Sequence, residues 1–402
     1  MNDVMEINSN VVYVRGATRG ALYNFNDGKI YSIDSDACKL IEAYLAGELQ
    51  KDSFIEHLKE MSLIGDNYTP KKYAFPKPPS ELNFVWLELT ENCNLRCTHC
   101  YVGDMHYDNP NEILSLDQWE DVIRQLKDVK CKRIEFIGGE PTVYPYFEEL
   151  LEFAVSIGHS VDIYSNLQTF NDKLIDYVKA HDIVVHFSIY GSSSITHDSV
   201  TRKNGSFKTL VYWLEKLVKN QVKVIPSVTI MRQNQDDISN IISLLQTMGI
   251  PVERMSIDVV RATTRRDIQG LAPETSEKNL ALRRKPSFST TKSSFHRAYY
   301  ANTCLFGKFS IQPNGVVSPC EFSRDITYGN VKSESIAQIL QSDTLKRLWF
   351  LDFSKIEQCK ECEYRFACQD CRMVNGEDKL YKKNPRCLYN PLLGIWETKS
   401  IN

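Results

Sequence analysis

The chain has 402 residues, 42% hydrophobic and 25% charged, with a net charge of −3 and twelve cysteines. This is the composition of a globular protein of two or three domains, and it carries no basic excess for nucleic acid. No run approaches the roughly 20 apolar residues of a membrane-crossing helix, and the polar, acidic opening MNDVMEINSN is neither a signal nor a transit peptide. A cytoplasmic protein is expected, where thiols stay reduced and cysteines serve as ligands rather than disulfides.

Near the N-terminus, VVYVRG, ALYNFN and KIYSID alternate like strands, with FNDGK as a hairpin turn. The helical runs SDACKLIEAYLAG, with Ser35 or Asp36 as its cap, and SFIEHLKEM follow. Three strands followed by helices make a small winged-helix-like module over residues 1–70, with edges expected near Val11–Arg15 and Ile30–Ile33. The Lys- and Pro-rich run TPKKYAFPKPPS (69–80) reads as a linker, placed at 71–81.

NFVWLELT is then a strand, and ENCNLRCTHCYV (91–102) sets Cys93, Cys97 and Cys100 in a C-x₃-C-x₂-C spacing. A zinc Cys₃His site using His99 is one reading. A [4Fe–4S] cubane on three thiolates accounts better for the odd number, because it leaves one iron open for chemistry. LSLDQWEDVIRQLKDV (114–129) has helical spacing, and RIEFIGGEP (133–141) is a strand ending in Gly138, Gly139 and Glu140. Glycines at a strand tip admit close approach of a ligand. The strands SVDIYSN (160–166), IVVHFSIYG (183–191), KVIPSVTI (223–230) and ERMSIDVV (253–260) alternate with helices, so six β/α repeats predict an α/β fold with a parallel sheet. Cys38, Cys131 and His186 read as core residues, and no HExxH, Ser–His–Asp or phosphate-binding glycine loop is present.

A polar stretch, ETSEKNLALRRKPSFSTTKSS (274–294), reads as a mobile lid or bridge ahead of a second cysteine block. CLFGKFSIQPNGVVSPC (304–320) is a hairpin around PNG with Cys304 and Cys320 at its ends. CKECEYRFACQDC supplies Cys359, Cys362, Cys368 and Cys371, and Cys387 follows. Four close cysteines suggest a zinc ribbon, but four close one zinc site and three remain.

On these motifs the chain resembles the radical S-adenosylmethionine (SAM) enzymes with a SPASM domain. The resemblance implies a partial (β/α)₆ barrel over 82–265, a bridging region at 266–300 and an auxiliary-cluster domain at 301–402. It implies that Cys93, Cys97 and Cys100 hold a cluster whose open iron is chelated by SAM, which is then cleaved to a 5′-deoxyadenosyl radical. Gly138, Gly139 and Glu140 would meet the SAM amino group, Ser165, Asn166 and Ser188 its ribose or carboxylate, and Arg202 its carboxylate. Cys359, Cys362, Cys368 and Cys387 would ligate auxiliary cluster II, and Cys304, Cys320 and Cys371 auxiliary cluster I. The run ends in C-x₂-C where the family has C-x₃-C, which bears on Cys371. LFGKFS offers no fourth cysteine, so cluster I would keep an open iron. The N-terminal module resembles the leader-recognition element of peptide maturases, which binds by strand addition. Together these imply three [4Fe–4S] clusters, SAM, a precursor peptide with a leader, and an electron donor such as flavodoxin or ferredoxin. The product would be a thioether or another side-chain cross-link. The alternatives are a protein-maturing enzyme of the sulfatase-maturating type and a non-catalytic, zinc-stabilised peptide-binding scaffold.

Overall fold

The computed structural model describes residues 4–49, 51–65, 68–74, 77–103, 109, 112–261, 270–273, 288–369, 371, 380–384 and 387–396. Four antiparallel strands open the chain, β1 (Val4–Asn8), β2 (Val11–Arg15), β3 (Gly20–Asn24) and β4 (Lys29–Ile33), rather than three. β1 escapes the alternation test because only Val4 and Ile7 of VMEIN are buried. A short β5 (Lys71–Lys72), inside the run read as a linker, pairs with β1 and makes the order β4-β3-β2-β1-β5. Val11–Arg15 is therefore an interior strand and not an edge. β4 is an edge, but its outer side is met by another segment: Ile30 N–H donates to Phe288 O at 3.0 Å, and Thr290 N–H to Gly28 O at 2.8 Å.

Helix α1 (Ser35–Leu45) is capped by Asp34, whose carboxylate accepts from Asp36 N and Ala37 N at 3.1 and 2.8 Å, so Ser35 and Asp36 lie inside the first turn. With α2 (Ser53–Glu60) it buries Cys38, Ile41, Ile55 and Leu58 against one face of the sheet. The other face, with Val12, Val14 and Tyr23, shares a core with Phe295, Tyr364, Phe366 and Tyr389 from the C-terminal part of the chain. The module is thus packed on the C-terminal domain through a common apolar core, not merely tethered to the barrel by a linker.

The six predicted barrel strands are all present: β6 (Phe84–Glu88), β7 (Arg133–Ile137), β8 (Ser160–Ser165), β9 (Val184–Ser188), β10 (Val224–Ile230) and β11 (Ser256–Val259). They pair in chain order and every pair is parallel. Helices α3 (Leu116–Asp128), α4 (Phe147–Ser156), α5 (Asp172–Ala180), α6 (Ser194–Thr201), α7 (Ser206–Lys219) and α8 (Ile238–Thr247) follow the strands. α6 falls in a stretch read as loop, since an eight-residue helix shows little periodicity. Alternate strand residues, such as Ile134, Phe136, Val161, Ile163, Val185 and Phe187, enter the helix-side core around Trp119. Cys131 belongs to that core, as expected.

The C-terminal hairpin, β12 (Lys308–Ile311) and β13 (Val316–Ser318), does not stand apart. β12 pairs in parallel with β6, and with β14 (Gly329–Asn330) it extends the barrel sheet to nine strands. The helix Lys292–Tyr300 precedes it, within the stretch read as bridging, and the lid reading of 274–287 lies outside the described residues.

A buried ion cluster locks this junction. Arg324, with a side chain 5% exposed, pairs with Glu88 at the end of β6 and donates to Glu91 Oε1 at 2.7 Å. Ser310 Oγ adds a bond to Glu88 Oε1 at 2.6 Å. Replacing Arg324 by Met strands two carboxylates in a dry site, and a loss of about 3–5 kcal/mol is expected. Anaerobic thermal and urea unfolding of the variant checks this; a stability equal to wild type would show that the cluster does not hold the junction.

Candidate metal centre and cavity

Beyond β6 the chain turns into the loop bearing Cys93, Cys97 and Cys100. The end of α6 holds this loop, with Arg96 N–H donating to Thr201 O at 3.0 Å and Thr98 N–H to Val200 O at 2.9 Å. Asn166, at the tip of β8, donates from Nδ2 to Asn94 Oδ1 at 2.7 Å and to Cys93 Sγ at 3.6 Å. Burial pushes the Cys93 thiol up to about 12 and also raises Cys97, and the neighbouring cysteines add to both shifts. Three half-buried cysteines whose charges act on one another disfavour the thiolate form, so the set suits a cationic iron cluster. The His99 ring packs edge-on against Tyr190, centroids 4.7 Å apart.

The Gly138–Gly139 tip of β7 meets this loop backbone to backbone. Gly139 N–H donates to Thr90 O at 2.7 Å and Glu140 N–H to Asn92 O at 2.9 Å. A Cβ on Gly138, at φ +145°, would lie 2.3 Å from Thr90 O, and one on Gly139 would lie 2.3 Å from Asn92 O. The glycines are thus required first by close packing of two loops. Glu140 is buried, and its Oε1 accepts from Thr142 N, Thr142 Oγ1 and Ser165 Oγ at 3.2, 2.6 and 2.7 Å. Its Oε2 accepts from Asn166 N at 2.6 Å, leaving capacity on that oxygen for one further donor. Ser165 is occupied by Glu140 and by Leu167 N–H.

These tips surround a cavity of about 390 Å³ that reaches the three cysteines, Gly138 to Glu140, Ser165, Asn166 and Ser188. Ser188 Oγ lies 3.1 Å from Tyr164 OH within it. Arg202 does not line the cavity and is exposed at the left-handed C-cap of α6, with φ 55°, but its charge acts on Cys97 and lowers that thiol. Among the described residues Arg261, paired with Asp258, is a cation that does line it. Three carboxyl groups that sequence reading did not single out also line it, Glu135, Asp258 and Glu321. Among the described residues Glu321 Oε2 is buried with no hydrogen-bond partner, and burial pushes the group up to about 8. The one signal for it was its place beside Cys320.

Among the C-terminal cysteines, Cys304 interacts with Cys371 and Cys320, and Cys362 with Cys359 and Cys387. The Cys304 thiol is raised by a hydrogen bond with Cys371 and then by burial, with Cys320 adding charge repulsion. Cys362 is raised by burial, with Cys359 and Cys387 among the charges around it. Cys368 closes the turn after Cys362, its carbonyl accepting from Thr303 Oγ1 at 3.4 Å.

His186 is not a simple core residue. Its Nε2 lies 3.6 Å from Glu135 Oε2 and 3.4 Å from Asp162 Oδ2, and Arg133 Nη1 reaches the same Asp162 oxygen at 3.2 Å. The three groups sit on adjacent strands, which no spacing within one strand reveals. Burial opposes the His186 charge, but Asp162 and Glu135 outweigh it and raise its pKa. Burial pushes Glu135 up to about 7 from 4.5, with His186 opposing. Across that window the folded chain keeps a proton on Glu135 that the unfolded chain has released, so stability falls as pH rises through it, by on the order of 3 kcal/mol. Glu135→Gln should lack this component. Melting midpoints of both proteins across the window check it, and parallel curves would refute the shift.

Residues 87–245 match the radical SAM superfamily and residues 303–363 the SPASM iron-sulfur cluster-binding domain. The sporulation killing factor maturation protein SkfB of Bacillus subtilis (strain 168) is 28% identical over 269 residues, 63% of either chain. The chain thus spans just under two thirds of that relative's length. The PqqA peptide cyclase of Bradyrhizobium diazoefficiens is 25% identical over 340 residues, 77% of this chain and 86% of the cyclase. Streptococcus suis SuiB has the same fold, with a TM-score of 0.61 at 14% identity over 95% of this chain and 99% of SuiB.

Proposed function

We propose, from the match of residues 87–245 to the radical SAM superfamily and of residues 303–363 to the SPASM domain, that the chain installs a thioether or another side-chain cross-link in a ribosomally made precursor peptide. The observation that carries this reading is the opening of Cys93, Cys97 and Cys100 on the cavity, supported by the interactions of Cys304 with Cys320 and Cys371 and of Cys362 with Cys359 and Cys387. Relatives named as a maturation protein and a peptide cyclase support a peptide substrate, and SuiB has been solved with its precursor peptide SuiA.

In this reading Cys93, Cys97 and Cys100 hold a [4Fe–4S] cluster. Cys304, Cys320 and Cys371 hold a second, and Cys359, Cys362, Cys368 and Cys387 a third. Cys93, Cys97 and Cys100 would hold the cluster which, when bound and reduced by a donor such as flavodoxin or ferredoxin, would supply the one electron for cleavage of SAM to methionine and a 5′-deoxyadenosyl radical. The chain's own residues do the rest. Asn166 orients the cysteine loop through Asn94. Glu140 Oε2 keeps capacity for the SAM ammonium group, and Arg261, paired with Asp258, is a cation at the cavity. The edge-on pair of His99 and Tyr190 lines the cavity beside the cysteine loop. Glu321 presents an acceptor oxygen to a substrate N–H, O–H or S–H.

Three clusters require about 12 iron atoms per chain. Changing Cys93, Cys97 and Cys100 together to Ala should keep about two thirds of that iron and abolish 5′-deoxyadenosine formation from SAM. Anaerobic protein with stoichiometric zinc and little iron would remove the enzyme reading, and 5′-deoxyadenosine from the triple variant would move the catalytic cluster elsewhere.

A further inference from the structure

Between Cys359 and Cys368 the chain makes a turn whose polar groups are bonded to the N-terminal module one after another. Glu361 O accepts from Ala17 N–H at 2.9 Å. Glu363 O accepts from Tyr23 OH at 2.8 Å, Tyr364 OH donates to Ser32 Oγ at 2.8 Å, and Arg365 Nη1 donates to Arg15 O at 3.2 Å. These partners come from β2, from the turn after it, from β3 and from β4. Tyr23 is fully buried, and Cys362 and Cys387 pack against the same apolar cluster that contains Val12, Val14 and Tyr23. The contact is also tight: a Cβ on Gly16 would meet Glu361 O and Glu363 N, both backbone atoms, at 2.9 Å and Glu363 Oε2 at 2.8 Å. The opening cysteine loop is held instead by α6 and Asn166, so the two sites have separate supports.

From this geometry we infer that the N-terminal module forms the outer wall of the Cys359–Cys362–Cys387 site, with Gly16 and Tyr23 as positioning residues for the cluster those thiols hold. The inference rests on the reading of these cysteines as cluster ligands. Groups around a cluster's ligands fix their orientation, and solvent exclusion and nearby hydrogen bonds set its potential and its retention. The module therefore has a task beyond peptide recognition: it shapes one of the three metal sites.

The test uses the full-length, anaerobically reconstituted chain and two variants, Gly16→Ala and Tyr23→Phe. Iron per chain is measured, together with the electron paramagnetic resonance of the reduced protein with and without SAM. The SAM-responsive signal reports the opening triplet and the remaining signals report the C-terminal sets. Gly16→Ala should lose about one third of the iron, as one cubane of three, while 5′-deoxyadenosine formation by dithionite-reduced protein stays at the wild-type rate. Tyr23→Phe, which keeps the packing and removes one hydroxyl, should retain its iron and shift a SAM-insensitive signal or its midpoint potential. If Gly16→Ala does not fold, Tyr23→Phe decides alone. Iron-replete wild type with unmoved SAM-insensitive signals in Tyr23→Phe would overturn the inference and leave the enzyme reading intact. A change confined to the SAM-responsive signal would overturn it equally. Wild-type protein without iron would overturn the cluster reading, and this inference with it.

Discussion

Strand β6 is used on both sides, and its register controls the rest. One edge pairs in parallel with β7 and so opens the barrel; the other pairs in parallel with β12 and so carries the C-terminal domain. Its last residue, Glu88, runs into the cysteine loop and is gripped by Arg324 and Ser310 from across the junction. A sheet is stiff along its hydrogen-bonding direction, so the first cysteine set and the Cys304–Cys320–Cys371 set are spaced by one continuous element. A slip of one residue in β6 would turn Val85 and Leu87 out of the core and Glu88 away from Arg324.

The concave side of the barrel is rich in buried acid. Glu88 and Glu91 share Arg324, Glu135 and Asp162 share His186, and Arg133 pairs with Asp162. Such pairings oppose desolvation, which at Glu135 still outweighs them. Glu321 differs: among the described residues its buried Oε2 has no hydrogen-bond partner.

The N-terminal module occupies an unexpected position. Its sheet has one face for its own helices and one for the C-terminal domain. The outer side of β4, the edge where strand addition was anticipated, is approached by Phe288 and Thr290 and by Tyr364. An apolar face of this size cannot be left to water, which is why the module is seated on the rest of the chain rather than swinging from a linker.

The sequence by itself determined the chemistry and the local elements. Three cysteines in C-x₃-C-x₂-C, seven more in a second block, and six apolar strands alternating with amphipathic helices are local patterns set by ligand reach and by backbone periodicity, so they are legible one segment at a time. Only the tertiary structure decided which groups meet across segments. The Glu135–Asp162–His186 cluster lies on three neighbouring strands, Arg324 reaches Glu88 from more than two hundred residues away, and Arg261 lines the cavity. Asn166 and Glu140 were legible as residues of the site, but their bonds to Asn94 and Ser165 were not. The reason is physical: a side chain's type and periodicity are properties of its own segment. Its partner is set by strand order and register, and these follow from how all the apolar faces are buried at once.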